Sequence, residues 1–293
     1  SALADTLCNT VRSQVQANIR CSTLIGSTES MLSAVKREVI DSVMRLLRED
    51  GPCSVRLVGA AGSGISTLLA VCASLLAEQS VTRNTEGNYV TIGRRVVYLN
   101  KMAWYSEQQF MRLLVRELVH DDGARADEMS LQDAVRQLDP MSSLVLVLDG
   151  LSREEQDLIS AAVLSSTAGG IVSLVMGCSS AREAETDHII HVGGLTEAEK
   201  HAVLTSRATD LGLELSPSEL EVIVGKEGAS SPQYLVAVLR YIKLCRDAGQ
   251  DVPWDSLPHD TTGLVVSEFG PLAFSEKVHG TELIRSICYW LVL

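Results

Sequence analysis

Residues 59–67 read Gly-Ala-Ala-Gly-Ser-Gly-Ile-Ser-Thr. This is the spacing of the phosphate-binding pattern G-x-x-x-x-G-K-[ST], with the lysine replaced. Gly59 and Gly64 hold the glycine positions, Ser66 stands where the magnesium-binding hydroxyl belongs, and Ile65 takes the lysine's place. A β-prone run, 54–58, ends at Gly59, and an apolar helix-forming run, 68–76, follows Thr67. Strand, glycine-rich turn and helix are the context this pattern requires. Glycines let backbone N–H groups approach a phosphate, and the helix N-terminus adds a positive dipole end. The residues expected to touch nucleotide are Gly59, Ala61, Gly62, Ser63, Gly64, Ile65, Ser66 and Thr67. Isoleucine cannot supply the mobile cation, and a hydrogen bond to a charged group contributes roughly 1.5–3 kcal/mol. Binding is predicted to survive on the backbone cradle. Hydrolysis is predicted to be inefficient, because phosphoryl transfer depends mostly on electrostatic stabilisation. The expected cofactor is ATP or ADP, with or without magnesium, or an empty but correctly shaped loop. The plainer alternative is a glycine-rich turn that binds nothing.

A second motif gives the first its meaning. Leu144-Val145-Leu146-Val147-Leu148-Asp149 is an apolar run ending in an acid. At a strand tip beside the P-loop such an aspartate holds magnesium, usually through water, together with the P-loop hydroxyl. The metal candidates are therefore Ser66 and Asp149. Buried strands often end in aspartate, so the signal gains weight only from following the P-loop with one strand–helix unit between. Glu154 or Glu155 could polarise water, but carboxylates here also suit the first turn of a helix, where they favour its dipole.

Strand-like and helix-like runs alternate through the first two thirds of the chain. The pattern predicts an α/β P-loop fold, a mostly parallel sheet flanked by helices, followed by a helical lid domain. The expected domains are N-terminal helices over 1–50, a nucleotide-binding domain over 51–193 and a lid over 194–293. Strands are predicted near 54–58, 95–100, 143–148, 170–178 and 189–192. Helices are predicted over 1–25, 29–48, 106–120, 130–138, 154–164, 197–210, 216–224 and 232–246. The Thr-, Asn- and Gly-rich stretch 80–93 reads as a loop. The apolar run 284–293 predicts that the chain continues or is covered by a partner.

The 293 residues carry a net charge of −12 and seven scattered cysteines. The acidic balance predicts that nucleic acid is an unlikely partner and argues against acidic membranes. No apolar run approaches the length that spans a bilayer. Cysteines without C-x-x-C spacing read as reduced thiols in a cytoplasmic setting. His188 and His191 lack companions at metal-ligand spacing and read as strand-end surface residues.

With these motifs in place, the chain resembles the STAND class of P-loop NTPases, specifically NACHT-like domains of the nephrocystin and telomerase-associated type. The resemblance covers roughly 24–270. It is carried by VRLVGAAGSGISTLLA, RRVVYLN, LVLVLDGL and, most specifically, VGGLTEAEKHAVLTSRATDLGLELSPSELEVIVGKEGASSPQYLVAVLRYI. It implies that Pro232, in the Ser231-Pro232-Gln233-Tyr234-Leu235 element, packs on the adenine. Pro232 equally suits the first turn of a helix. The resemblance further implies a nucleotide used as a switch or assembly clamp, protein partners within a larger assembly, and a cytoplasmic, cytoskeletal or ciliary setting. Two departures weaken the chemistry it implies. Ile65 replaces the lysine, and Cys178-Ser179-Ser180 stands where Thr-Ser-Arg is usual, with Arg182 two residues beyond.

Three functions follow as expectations. The first is a scaffold module that binds adenine nucleotide weakly or statically. The second is a slow ATPase switch in which Arg56, Arg94 or Arg95 replaces the lysine. The third is an AAA+ initiator-like module acting on DNA, against which the acidic charge and the lid were expected to count.

Overall fold

The computed structural model describes residues 37–48, 52–79, 81–83, 89–91, 95–101, 106–119, 129–138, 143–164, 171–178 and 187–264. The predicted lead helix over 1–25, the first part of the 29–48 helix and the apolar run 284–293 lie outside them, as do Arg94 and Ser179 to Arg182. The chain divides into two compact units. Of the described residues, the first unit holds 37–61 and 65–192, and the second holds 62–64 and 193–264.

The first unit is a five-stranded parallel sheet. Its elements are α1 (Arg37–Leu46), β1 (Ser54–Val58), α2 (Ile65–Gln79), β2 (Val81–Arg83), β3 (Tyr89–Thr91), β4 (Arg95–Asn100), α3 (Glu107–Val119), α4 (Leu131–Arg136), β5 (Ser143–Asp149), α5 (Arg153–Leu164), β6 (Ile171–Cys178) and β7 (Asp187–His191). The strand order is β4-β5-β6-β1-β7. Every pairing within this sheet is parallel. The expected loop over 80–93 instead contains an antiparallel pair, β2 with β3. The β-branched and aromatic residues of Val-Thr-Arg and Tyr-Val-Thr favour strand, and the turn-rich composition around them hid that preference.

The continuous apolar run of β5 reflects a strand with a sheet neighbour on each side and helices on both faces. The two faces separate cleanly by alternation. Val97 and Leu99, Leu144, Leu146 and Leu148, and Val172, Leu174 and Met176 join one core with Phe110, Leu114 and Leu118 of α3 and Ile159, Ala162 and Val163 of α5. The intervening residues, ending in Asn100, Asp149 and Gly177, belong to the opposite face. There α2 lies against β4, β5 and β6, and α1 packs on α2. Ser106 caps α3: its Oγ accepts from the Gln109 N–H at 3.2 Å, and Gln109 Oε1 accepts from the Ser106 N–H at 2.9 Å.

The second unit is helical: α6 (Glu197–Asp210), α7 (Pro217–Val224), a 3₁₀ turn (Glu227–Ser230), α8 (Pro232–Asp247) and a second 3₁₀ turn (Trp254–Ser256). Its core gathers Leu204 of α6, Ile223 of α7 and Tyr234, Leu235, Val238 and Ile242 of α8. Thr196 and Ser216 each form a full capping box, with Glu199 and Glu219 as reciprocal partners. These two boxes explain why the boundaries of α6 and α7 were readable in the sequence. Thr196→Ala is expected to lower the unfolding free energy by about 1 kcal/mol. Urea denaturation followed by helical circular dichroism checks this, and an unchanged midpoint with an unchanged slope would refute it.

Candidate functional site

The P-loop leaves the end of β1 and enters α2, at the carboxyl edge of the parallel sheet. The Gly59 N–H donates to the Cys178 carbonyl at 3.2 Å, which ties the start of the loop to β6. Gly62 and Gly64 have φ of 80° and 88°. In this left-handed region a side chain would be strained, so both glycines are required by the turn itself. Ala61 and Ser66 are exposed, and Thr67 is half-buried in the first turn of α2. The Ser63 hydroxyl oxygen is buried with no hydrogen-bond partner. A glycine-built turn at a helix N-terminus, with an unsatisfied hydroxyl in it, has the form of a phosphate cradle.

Ile65 is the first residue of α2, and its side chain is laid onto β6. A β-carbon placed on Gly177 would stand 2.6 Å from Ile65 Cγ2, 3.0 Å from Leu69 Cδ1 and 3.5 Å from Asp149 Oδ1. The isoleucine methyl therefore uses the space that the missing side chain at Gly177 leaves free. The Asp149 carboxylate borders the same space above Gly177.

Asp149 ends β5 and is only 6% exposed. The Ser66 hydroxyl donates to its carboxylate. So do the Gly150 N–H, to Oδ1 at 2.9 Å, and Asn100 Nδ2, to Oδ2 at 3.1 Å. Asn100 sits directly opposite Asp149 in the β4–β5 register. Burial pushes the Asp149 carboxyl above its ordinary range, against the opposing pull of the Ser66 and Gly150 hydrogen bonds. The hydroxyl and carboxylate brought together by Ser66 and Asp149 are the donor types that suit Mg²⁺. Among the described residues no group of three or more His, Cys, Asp or Glu could hold a metal unaided. A divalent ion here would take the rest of its shell from phosphate and water.

The acids after Asp149 start a helix. Glu154 is exposed in the first turn of α5. Glu155 is buried. Its Oε2 accepts from the Ser152 N–H at 2.8 Å, its own N–H donates to Ser152 Oγ at 3.3 Å, and its Oε1 meets Lys101 Nζ at 2.5 Å. Glu155 thus belongs to a capping box and an ion pair rather than to a water-activating position. Gln156, also buried, donates from Nε2 to the carbonyls of Leu151 and Gly177, both at 3.1 Å. Asn100, Lys101, Gln156 and Gly177 escaped the sequence reading. Only Asn100 carried a signal there, as a polar residue ending an apolar strand.

Of the three arginines proposed to replace the lysine, the two described, Arg56 and Arg95, point elsewhere. Arg56 lies opposite Met176 in the β1–β6 register, so it shares the α3–α5 face, and its Nη2 meets Asp157 of α5 at 3.2 Å. Arg95 opens β4 at the far edge of the sheet and donates to the Glu117 and Leu118 carbonyls at the end of α3. A side chain on the opposite face or edge cannot stand in for one at position 65.

Within the second unit, which includes Gly62–Gly64, the Ser231 hydroxyl donates to the Gly62 carbonyl at 3.1 Å. A β-carbon on Gly64 would meet Pro232 Cγ at 3.5 Å, and one on Gly62 would meet Gln233 Oε1 at 2.5 Å. Pro232 is at the first turn of α8, where its missing N–H is harmless. Ser231 makes no capping bond to α8 because its hydroxyl is turned to Gly62.

No family model and no curated protein matches the sequence. Solved structures do resemble it. The Thermotoga maritima RuvB Holliday junction branch migration motor is 14% identical, over 83% of this chain and 71% of that one, with a TM-score of 0.47. The replication initiator DnaA bound to AMPPCP and single-stranded DNA is 13% identical over 84% and 70%, with a TM-score of 0.42. AMPPCP-bound DnaA from Aquifex aeolicus is 15% identical over 92% and 80%, with a TM-score of 0.43. The P-loop NTPase fold itself is established by the strand order and the turn described above. The finer kinship with NACHT-like domains is not shown by these likenesses. One expectation is corrected by them: nucleic acid was read from net charge as an unlikely partner, and the replication initiator DnaA, which this chain resembles, is bound to single-stranded DNA.

Proposed function

We propose that the chain is a nucleotide-binding P-loop module of STAND or NACHT-like type, which holds adenine nucleotide with little or no hydrolysis and serves as a scaffold rather than a turnover enzyme. The observation that carries this reading is the Ser66 hydroxyl bonded to Asp149 beside a correctly turned glycine loop, with Ile65 laid onto Gly177. The glycine turn and the Ser66–Asp149 pair suit a phosphate and a metal, and Ile65 supplies no cation to neutralise a transferring group. Pro232, at the start of α8, is the proposed base contact.

Ile65→Lys is the direct test. Restoring the cation is expected to tighten ATP binding about tenfold or more, from the roughly 1.5–3 kcal/mol of a charged hydrogen bond. Calorimetric titration measures it. Asp149→Asn in the restored protein is expected to weaken the magnesium-dependent part of binding. No binding by either wild type or Ile65→Lys would leave a P-loop fold without its ligand. Single-stranded DNA belongs in the same titrations, and binding that depends on nucleotide would assign the module to DNA instead.

A further inference from the structure

The loop meets the two ends of a nucleotide's phosphate chain very differently. Backbone N–H groups of such a turn cradle the α- and β-phosphates, whereas the lysine reaches the β- and γ-phosphates. The cradle is intact: Gly62 and Gly64 hold their left-handed geometry, and the buried Ser63 hydroxyl still lacks a partner. The side that faces β5 and β6 has changed character. It presents the Ile65 methyl over Gly177, and the Asp149 carboxylate borders the same glycine. The cations whose positions are described on the neighbouring strands are committed to the opposite face. Arg56 pairs with Asp157, Lys101 pairs with Glu155, and Arg95 holds the end of α3. A γ-phosphate would add negative charge next to an apolar side chain and a carboxylate, with no lysine to answer it. Like charges at such range repel, more strongly where water is excluded.

We propose that this P-loop selects a nucleoside diphosphate over the corresponding triphosphate, because the side chains that line its β5–β6 side, Ile65 and Asp149 over Gly177, offer a third phosphate no positive charge. The proposal rests on the nucleotide-binding reading above and adds the direction of its preference. The loop would then be a diphosphate clamp, filled by the product of a hydrolysis that occurs elsewhere.

The test uses the full chain and a fluorescent ADP analogue displaced by unlabelled ADP or ATP, with excess EDTA and again with magnesium. ADP is expected to bind about tenfold or more tightly than ATP in EDTA, the effect of about 1.4 kcal/mol. Ile65→Lys is expected to shrink that ratio about tenfold or reverse it. Ile65→Ala, which removes the bulk but supplies no charge, is expected to keep the preference for ADP. Equal affinities, or tighter ATP, in the wild type would overturn the selectivity while leaving nucleotide binding intact. Loss of the preference in Ile65→Ala would overturn its electrostatic cause. Displacement by neither nucleotide would overturn both the selectivity and the binding reading beneath it.

Discussion

Replacing Gly177 by alanine is expected to destabilise the first unit by about 1–3 kcal/mol, the usual penalty for overpacking a filled interior. The new β-carbon would stand 2.6 Å from Ile65 Cγ2 and 3.0 Å from Leu69 Cδ1. Leu69 can turn a terminal methyl away. Ile65 cannot easily do so, because its Cγ2 branches directly from Cβ and β-branched side chains in helices have one strongly preferred χ1. The strain should therefore disappear when the branch is removed. In an Ile65→Ala background the same Gly177→Ala change is expected to cost less than about 0.5 kcal/mol, giving a coupling energy of at least about 0.5 kcal/mol between the two sites. Lysine has no γ-branch either, so Ile65→Lys should tolerate alanine at 177 as well. Urea unfolding of the two single variants and the double variant measures the cycle. An equal penalty in both backgrounds would mean that the β-carbon meets something other than Ile65. If the coupling is found, the loss of lysine is not a lone accident of one position. The glycine at the end of β6 and the isoleucine at the start of α2 form one packing unit.

Much of this arrangement was legible because local chemistry and global fold agree. The strand–turn–helix around Gly59 to Ser66, the apolar run ending in Asp149 and the helices over 197–210 and 216–224 are each specified within a few residues. They fell where expected. What could not be read depends on which strands become neighbours. Asn100 faces Asp149 only because β4 pairs with β5 in one register, and Gly177 meets Ile65 only because β6 lies between β5 and β1. Nothing in the run Ser-Leu-Val-Met-Gly-Cys marks its glycine as the floor beneath an isoleucine more than a hundred residues earlier. The misplaced arginines show the same limit. Arg56 is three residues from Gly59, yet strand alternation sends its side chain to the face of α5. Proximity in sequence suggested a substitute lysine, and the pleat of the strand rules it out. The small β2–β3 pair was missed for a more local reason, since turn-forming residues around two short triplets outweighed their β preference.

Glu155→Ala is expected to be the most destabilising single change near the site. It would leave the Lys101 ammonium, 18% exposed, without its partner, and would strip the Ser152 N–H of its acceptor at the start of α5. Breaking a buried ion pair by removing one member costs about 3–5 kcal/mol, and Lys101's access to water places this case toward the lower end. Glu155→Gln separates the two contributions. An amide oxygen can still accept from Ser152, as the capping box allows, but it carries no charge for Lys101. The two proteins should then diverge with pH in a fixed direction. Burial tends to raise the Glu155 carboxyl, but hydrogen bonds from Lys101 and Ser152 and the lysine's charge outweigh it, so its folded value lies below the ordinary one. A carboxyl depressed in the folded state adds stability above its unfolded value, about 4.3, and loses it as pH falls through the folded value. The wild type is therefore expected to exceed Glu155→Gln in unfolding free energy near neutral pH, with the gap closing below about pH 4. Denaturant titrations at about pH 7, 5 and 3.5 trace that gap. A gap that stays constant across them would assign the role of Glu155 to its helix cap alone.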